Sequence, residues 1–223
     1  MKPADTPGTA RFPERVSFAG KSVVLEPISP SHVDDLWAAA HGADASWQYL
    51  RYGPFPSRGA MAALVLELES RAHQPFWAIK LQVTGKAQGW VSLCDIYPDD
   101  AAIEIGSVWF SPALQRTRAG SEAIFMLMRH AFDDLGYQRL VWRCLADNMA
   151  SLQAAKRYGF RPEGLWRSAV SVKGRRFDVA WHALLANEWP AQKEAFIKWL
   201  HDANFASDGT ALARMETLRS LTG

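Results

Sequence analysis

A loop spanning residues 114–121 combines cationic side chains with a glycine, and it could hold an anion. It reads Leu-Gln-Arg-Thr-Arg-Ala-Gly-Ser and lies between a strand-like run and a helical pattern. The first amides of a helix have no intrahelical acceptor and lie at the positive end of the helix dipole, where phosphates bind. Gly120 lets the backbone approach a ligand, and Arg116 and Arg118 add charged donors. The loop therefore predicts a phosphate or pyrophosphate site, with an ordinary capped helix as the alternative.

The strand before this loop changes the face of its apolar residues midway. Ile103 and Ile105 are apolar at odd positions, whereas Val108 and Phe110 are apolar at even positions. Side chains of a strand alternate with period two, so a regular strand cannot make this change. One extra residue at 106–107, a β-bulge, restores the pattern, and the glycine there favours it. A strand buried on both faces is the alternative.

The elements around the loop predict one mixed α and β domain. Alternating apolar runs predict strands, and 3.6-residue periodicity predicts helices. The strands are predicted over 23–25, 76–83, 88–96, 102–110, 140–145, 165–172 and 176–185. The helices are predicted after Ser31, after Ser57, after the loop, and over 148–158 and 187–201. This order indicates an α+β fold in α/β/α layers, with a mixed, mostly antiparallel central sheet.

Composition bounds the classes of protein that the chain can belong to. The 223 residues suffice for one substantial domain, and 48% hydrophobic with 22% charged residues is ordinary for a globular protein. A net charge of +2 is too balanced for a nucleic-acid partner, and no apolar run approaches the roughly 20 residues of a membrane span. The six histidines lack ligand spacing, so no metal is predicted. Cys94 and Cys144 read as buried free thiols, which fits a reducing cytoplasm.

The chain divides into three predicted segments. Residues 1–19 are rich in proline, glycine and charge and predict a mobile leader. Residues 20–204 contain the domain. Residues 205–223 form a polar tail that could contain a short helix, because Leu212, Met215 and Leu218 are spaced as on one helical face.

Two motifs together resemble the GNAT (Gcn5-related N-acetyltransferase) superfamily. The loop resembles its acetyl-coenzyme A pattern, [QR]-x-x-G-x-[GA], with Gln115 at the first position and Gly120 at the last. Arg118 replaces the first glycine, so its side chain either points outward or contacts a phosphate. Downstream, Asn148-x-x-Ser151 and Tyr158-Gly159-Phe160 resemble the RimJ/RimL-like branch. The resemblance covers roughly residues 20–190 and implies acetyl-CoA as the acyl donor.

The resemblance also implies which residues hold the cofactor. Backbone amides around the loop would hold the pyrophosphate, and the loop residues concerned are Gln115, Arg116, Thr117, Arg118, Ala119, Gly120 and Ser121. The backbone of Val108 and Phe110 would pair with the pantetheine arm, in a strand splayed from its neighbour. The Asn148 side chain would contact the same arm, and a helix N-cap is its alternative role.

Two residues are candidates for the catalysis that the resemblance implies. Acetyl transfer to an amine requires removal of a proton from the ammonium, and Glu104 is the hypothesised base. Its alternative is a solvent-facing strand carboxylate. Many members place a tyrosine acid where this chain has Ala155. In the RimL-like branch a serine is the proposed proton donor, and Ser151 matches it, with a first-turn capping serine as the alternative.

The acceptor site is predicted from aromatic residues, which either line a pocket or plug the core beneath a loop. They are Trp47, Tyr49, Tyr52, Phe55 and Trp166. The predicted acceptor is a small-molecule or peptide amine that attacks directly in a ternary complex. A homodimer is one option for assembly. Two alternatives stay open, namely transfer of another acyl group and a non-catalytic acyl-CoA-binding regulatory module.

Overall fold

The computed structural model describes residues 9–220, which form one eight-stranded sheet flanked by helices. The strands are β1 Phe18–Ala19, β2 Val23–Pro27, β3 Phe76–Leu81, β4 Ala87–Tyr97, β5 Ala102–Phe110, β6 Arg139–Leu145, β7 Arg161–Val172 and β8 Arg175–Leu185. Their spatial order in the sheet is β1-β2-β3-β4-β5-β6-β8-β7. The α-helices are α1 Val33–Ala40, α2 Arg58–Ser70, α3 Arg118–Arg129, α4 Met149–Arg157, α5 Trp189–Leu200 and α6 Met215–Ser220. Among the described strands, β5 and β6 alone pair in parallel, and the other neighbours are antiparallel.

Each face of the sheet has its own hydrophobic core. On one face α3 and α5 pack on β5, so that Leu127 and Phe196 share a cluster with Ile103. On the other face α1 and α2 supply residues such as Leu36 and Leu68 to a second cluster. The expected α+β fold in α/β/α layers is therefore confirmed, and so is the mixed, mostly antiparallel sheet.

The β-bulge in β5 is confirmed. Trp90 pairs with Trp109 and Ser92 pairs with Gly106, so two steps along β4 face three steps along β5. Ser107 lies in the bulge, and its φ of 50° is in the left-handed region. As a result Ile105 and Val108 both contact the α3 side of the sheet. The phase change in the sequence therefore reports one inserted residue and not burial on both faces.

Strands β5 and β6 are paired only near their beginnings. Their parallel pairing covers only Ala102–Glu104 against Arg139–Val141. Beyond that point β5 continues to Phe110 and β6 to Leu145, and no further pair joins them within residues 9–220. The backbone edge of β5 after the bulge therefore borders a wedge-shaped opening, which fits the expected splay.

The two ends of the described chain are more closely packed than the sequence predicts. Ala10 is buried and its amide bonds the carbonyl of Pro98, and Phe18 pairs with Leu25. The prediction of a mobile leader is therefore wrong for residues 9–19, while residues 1–8 lie outside the described residues. In the predicted tail, α6 is the short helix, and Met215 is buried in the α3-side core. Residues 205–220 thus pack as part of the domain.

No helix among residues 9–220 has the length and apolar character needed to cross a membrane.

Candidate active site

The loop before α3 is arranged to present backbone amides. Thr117 is the N-cap residue of α3: its Oγ1 accepts the amide hydrogen of Gly120 at 3.0 Å and donates to the carbonyl of Leu114 at 2.7 Å. No hydrogen bond among the described residues takes up the amides of Arg118 and Ala119. These amides lie at the positive end of the α3 dipole, so they are available to an anionic ligand.

Gly120 is required by the packing of the loop itself. A Cβ atom at this position would lie 2.8 Å from the Leu114 carbonyl oxygen and 3.1 Å from the ring of Phe110. The prediction gave this glycine a role in the approach of a ligand. The structure adds a contact within the protein that any side chain would disrupt, and this contact sets the spacing between the loop and the end of β5.

The side chain of Arg118 is directed toward the C-terminal part of the chain. Its guanidinium donates to the Leu200 carbonyl and to Asp202 Oδ1 at 2.8 Å, and it stacks over the Phe205 ring at 4.6 Å. Of the two orientations left open by the sequence, the outward one is therefore observed. Arg116 is exposed with φ 60°, and Gln115 donates to the carbonyl of Phe110 at 3.0 Å.

Asn148 is the N-cap residue of α4, and this role leaves half of its amide free. Its Oδ1 accepts the amide hydrogen of Ser151 at 3.2 Å. The cap uses the oxygen only, so the two hydrogens on Nδ2 remain as donors. The two roles foreseen for Asn148, helix cap and ligand contact, are therefore compatible.

The Ser151 hydroxyl contacts two side chains of β6. The indole Nε1 of Trp142 donates to Ser151 Oγ at 3.0 Å. The hydroxyl also hydrogen-bonds the Cys144 thiol; burial raises the pKa of that thiol, and this hydrogen bond lowers it. Ala155, at the position of the usual tyrosine, is fully buried, and Tyr158 is buried against Phe196 with its hydroxyl accepting from Arg157. Neither residue replaces the missing tyrosine.

Glu104 is buried in the sheet and not exposed to solvent. Its exposed fraction is 5%, it is paired with Cys94 on the neighbouring strand β4, and its Oε2 accepts a hydrogen bond from Nε of Arg143. Burial raises the pKa of Glu104 to about 7, and the nearby Arg143 charge opposes that rise. The alternative of a solvent-facing carboxylate is therefore excluded, and the group can exchange a proton near neutral pH.

Sequence reasoning missed Arg143. This arginine on β6 contacts Glu104 and also Asp95 at the end of β4, and its guanidinium stacks over Trp181 at 4.7 Å. The available signal was a single cation inside the apolar run 140–145, since a charge in a buried strand requires a partner.

The aromatic residues chosen for an acceptor pocket separate into two groups. Trp47 is fully buried and stacks on Trp109 at 4.2 Å, and Phe55 packs edge-on against it at 5.1 Å. The prediction that Trp47 lines a pocket is therefore wrong, because its ring fills the core beneath the loop. By contrast, Trp166 is 58% exposed and packs on Trp181 at 4.3 Å.

Two tyrosines link the segment 47–55 to its surroundings. The Tyr49 hydroxyl donates to the carbonyl of Asp147, next to the α4 cap, at 3.1 Å. Tyr52 accepts from Trp90 Nε1 at 3.3 Å, and burial raises the pKa of its hydroxyl to about 12. Tyr52 therefore stays protonated at physiological pH, close to the bulge.

Glu104 and the bulge thus lie on β5, which leads to the α3 amides, while Asn148 and Ser151 lie at the start of α4, which follows β6. Trp47 lies in the core on the α1–α2 side of the sheet, and the partly buried Phe55 packs against it. Within residues 9–220 no group of three or more His, Cys, Asp or Glu side chains could hold a metal ion.

Comparison with known proteins identifies the family. A family model described as "Acetyltransferase (GNAT) domain" matches residues 22–161, and the chain therefore belongs to the GNAT acetyltransferase family. The crystal structure of a GCN5-related N-acetyltransferase from Brucella melitensis is 37% identical and superposes with a TM-score of 0.93, covering 96% of this chain and 98% of that chain.

Curated relatives are more distant. Uncharacterized N-acetyltransferase YnaD of Bacillus subtilis (strain 168) is 28% identical over 93 residues, which are 42% of this chain and 54% of that protein. Putative ribosomal N-acetyltransferase YdaF of the same organism is 28% identical over 109 residues, which are 49% of this chain and 59% of that protein. The chain therefore spans a little over half the length of these two relatives.

Proposed function

We propose that this protein transfers an acetyl group from acetyl-CoA to a primary amine by direct attack in a ternary complex. The observation that carries the proposal is the wedge between β5 and β6, which opens after three paired residues and leads to the free amides at the start of α3. A thioester with a long polar arm and a pyrophosphate requires both features, an unpaired strand edge and an anion site.

The residues around the wedge fit acetyl-CoA. The amides of Arg118 and Ala119 would hold the pyrophosphate, with Arg116, Gln115 and Ser121 beside them. The backbone of Val108 and Phe110 and the Nδ2 group of Asn148 would pair with the amides and carbonyls of the pantetheine arm. When bound, the thioester supplies an activated acetyl carbonyl. The outward tie of Arg118 to Asp202 keeps the side chain that replaces a glycine away from this path.

The proposed base and proton donor lie on opposite faces of the sheet. Glu104 shares a face with Arg143, whereas Ser151 contacts Trp142, the next residue of β6, whose side chain points to the other face. This arrangement suits attack from one side of the wedge and departure of the thiol on the other.

Glu104 and Ser151 would handle the protons of the transfer. Glu104 takes the first proton from the ammonium, directly or through a water, and later passes it to solvent. The free amine attacks the acetyl carbon, a nitrogen–carbon bond forms, and the carbon–sulfur bond breaks. The nitrogen then loses its second proton, which balances the proton that the thiolate takes up. Ser151 donates a hydrogen bond to the departing thiolate, and the serine can relay a proton to it.

We propose that the acceptor approaches on the Glu104 face. Trp166 offers an exposed ring there, packed on Trp181, and Tyr49 belongs to the same cluster as Trp181. Tyr52 lies nearer the bulge, with its hydroxyl at Trp90. The similarity to YdaF, a putative ribosomal N-acetyltransferase, and the Asn148–Ser151 motif support a RimJ/RimL-like enzyme acting on a small-molecule amine or on a peptide or protein N-terminus. Free Cys94 and Cys144 support a cytoplasmic location.

A thiol-release assay with acetyl-CoA and a panel of primary amines and N-terminal peptides tests this function. We expect thiol release that depends on the amine and matches the amount of acetylated product. Tight binding of acetyl-CoA without turnover on any amine would favour a non-catalytic regulatory module. The buried Ala155, at the position of the usual tyrosine acid, is the feature that supports this alternative. Faster turnover with a longer acyl-CoA would instead reassign the acyl group.

A further inference from the structure

One guanidinium links three strands at the point where β5 and β6 diverge. Arg143 lies two residues beyond Val141, the last β6 residue paired with β5. From there its Nε donates to Glu104 on β5, and its Nη2 donates to Asp95 on β4. The side chain thus crosses the narrow end of the wedge. Its guanidinium carbon stacks on the Trp181 ring, 4.7 Å from the ring centroid.

The charged and titratable groups that face Glu104 come from every strand beside it. Arg143 comes from β6, and Cys94 and Asp95 come from β4; Arg71 and His73 follow α2 and border the same recess as Cys94 and Asp95. Burial raises the pKa of the Cys94 thiol well above its usual value, so this thiol stays neutral. Arg143 is therefore the cation in direct contact with Glu104, and it lowers the pKa of that carboxyl. The negative charge of Asp95 has the opposite effect on the same pKa.

We propose that Arg143 is a positioning residue of the acetyl transfer: it holds Glu104 at the narrow end of the wedge and favours the ionised carboxylate that accepts the ammonium proton. This inference rests on the proposed function. A planar guanidinium suits the role because it bonds two carboxylates in fixed directions and stays charged at every relevant pH. Asp95 shares the cation and so fixes the orientation of its fork.

The role implies a pH signature. Without the Arg143 charge the burial of Glu104 is uncompensated, so the carboxyl holds its proton to a higher pH. In R143M we expect the acidic limb of the kcat/KM profile to move up by about one pH unit or more, since each unit matches a tenfold change in protonation. The loss of activity is then large at neutral pH and much smaller at alkaline pH.

Two further variants control for simple destabilisation. R143K keeps a positive charge without the planar fork, so its acidic limb should fall between those of R143M and the native protein. Arg139 is on the same strand and pairs with the exposed Glu163. R139M therefore removes a matched ion pair away from Glu104 and should leave the pH profile in place.

Titration of Glu104 by NMR of isotope-labelled glutamate side chains, assigned by its loss in E104Q, gives a readout independent of turnover. We expect its midpoint to rise in R143M and to stay unchanged in R139M. An unmoved Glu104 midpoint in folded R143M or R143K, or an activity loss that is equal at every pH, would overturn the inference. Failure of the proposed function looks different, because the native protein would then transfer no acetyl group while the NMR titration could still be measured.

Discussion

At the scale of the residue, Glu104 combines properties that usually exclude each other. Its carboxylate is nearly inaccessible to solvent, yet it borders an opening in the sheet and contacts a cation. Desolvation raises its pKa to about 7, while Arg143 limits the rise. A base in this range is ionised often enough to accept a proton and basic enough to hold it.

The first prediction concerns the proton-transfer step. E104Q should lower kcat/KM by about a hundredfold or more, the usual contribution of a general base. Its profile should also lose the acidic limb near pH 7, because the raised pKa makes Glu104 protonated and inactive below that value. A pH series of initial rates checks this. Full turnover of E104Q at every pH would remove Glu104 from the mechanism.

At the scale of the element, the β5–loop–α3 unit brings the site together. The bulge turns Val108 and Phe110 toward the α3 side, and the β5 edge is open because β6 has already separated. Thr117 then starts α3 with its cap, leaving the first amides for a ligand. The anion site and the open strand edge are thus consecutive in sequence.

The second prediction concerns that unit. Gly120→Ala places a methyl group 2.8 Å from the Leu114 carbonyl and 3.1 Å from the Phe110 ring, so the loop must move away from the helix. We expect the Kd for acetyl-CoA to rise about tenfold, a loss of about 1.4 kcal/mol, with the fold retained. Calorimetric titration measures this change. A matched Gly174→Ala variant, in the β7–β8 turn, should bind acetyl-CoA as the native protein does.

At the scale of the whole molecule, the tryptophans divide between core and surface. Trp47, Trp90 and Trp109 form one mutually packed cluster between the sheet and the α1–α2 layer. Trp166 and Trp181 instead form a partly exposed pair on the outer hairpin. The first cluster supports the fold, and the second is where we propose that the acceptor binds.

The third prediction compares the two groups. Trp47→Ala leaves a large cavity in a fully buried site and should lower the free energy of unfolding by about 4 kcal/mol. Trp166→Ala should lower it by about 1 kcal/mol or less, because most of that ring is exposed, and should raise KM for the amine while leaving KM for acetyl-CoA unchanged. Urea unfolding and steady-state kinetics separate the two effects. Equal destabilisation by both variants would contradict the division.

Particular residues show how far the sequence could lead. The bulge was predictable because an inserted residue leaves a phase change in Ile103, Ile105, Val108 and Phe110. The orientation of Arg118 was not, since its partners at 200–205 are some eighty positions away. Trp47 was ambiguous because a core ring and a pocket wall share one residue type, and only the stacking on Trp109 separates them.

The packed ends of the chain follow the same logic. Proline, glycine and charge near the N-terminus suggest freedom, but the contacts that hold residues 10 and 11 come from Pro98 and Leu135. Long-range backbone hydrogen bonds of this kind leave no periodic trace in a sequence. Family resemblance supplied the cofactor, whereas Arg143 emerged only from the three strands it joins.

The most direct test of the central claim follows backbone amides by NMR while acetyl-CoA is added. If the wedge between β5 and β6 is the cofactor site, the amides of residues 107–110 and 118–121 should shift and gain protection from solvent exchange, while those of the outer edge strand β7 stay unchanged. Saturable binding with no response at 107–110 or 118–121 would contradict the account.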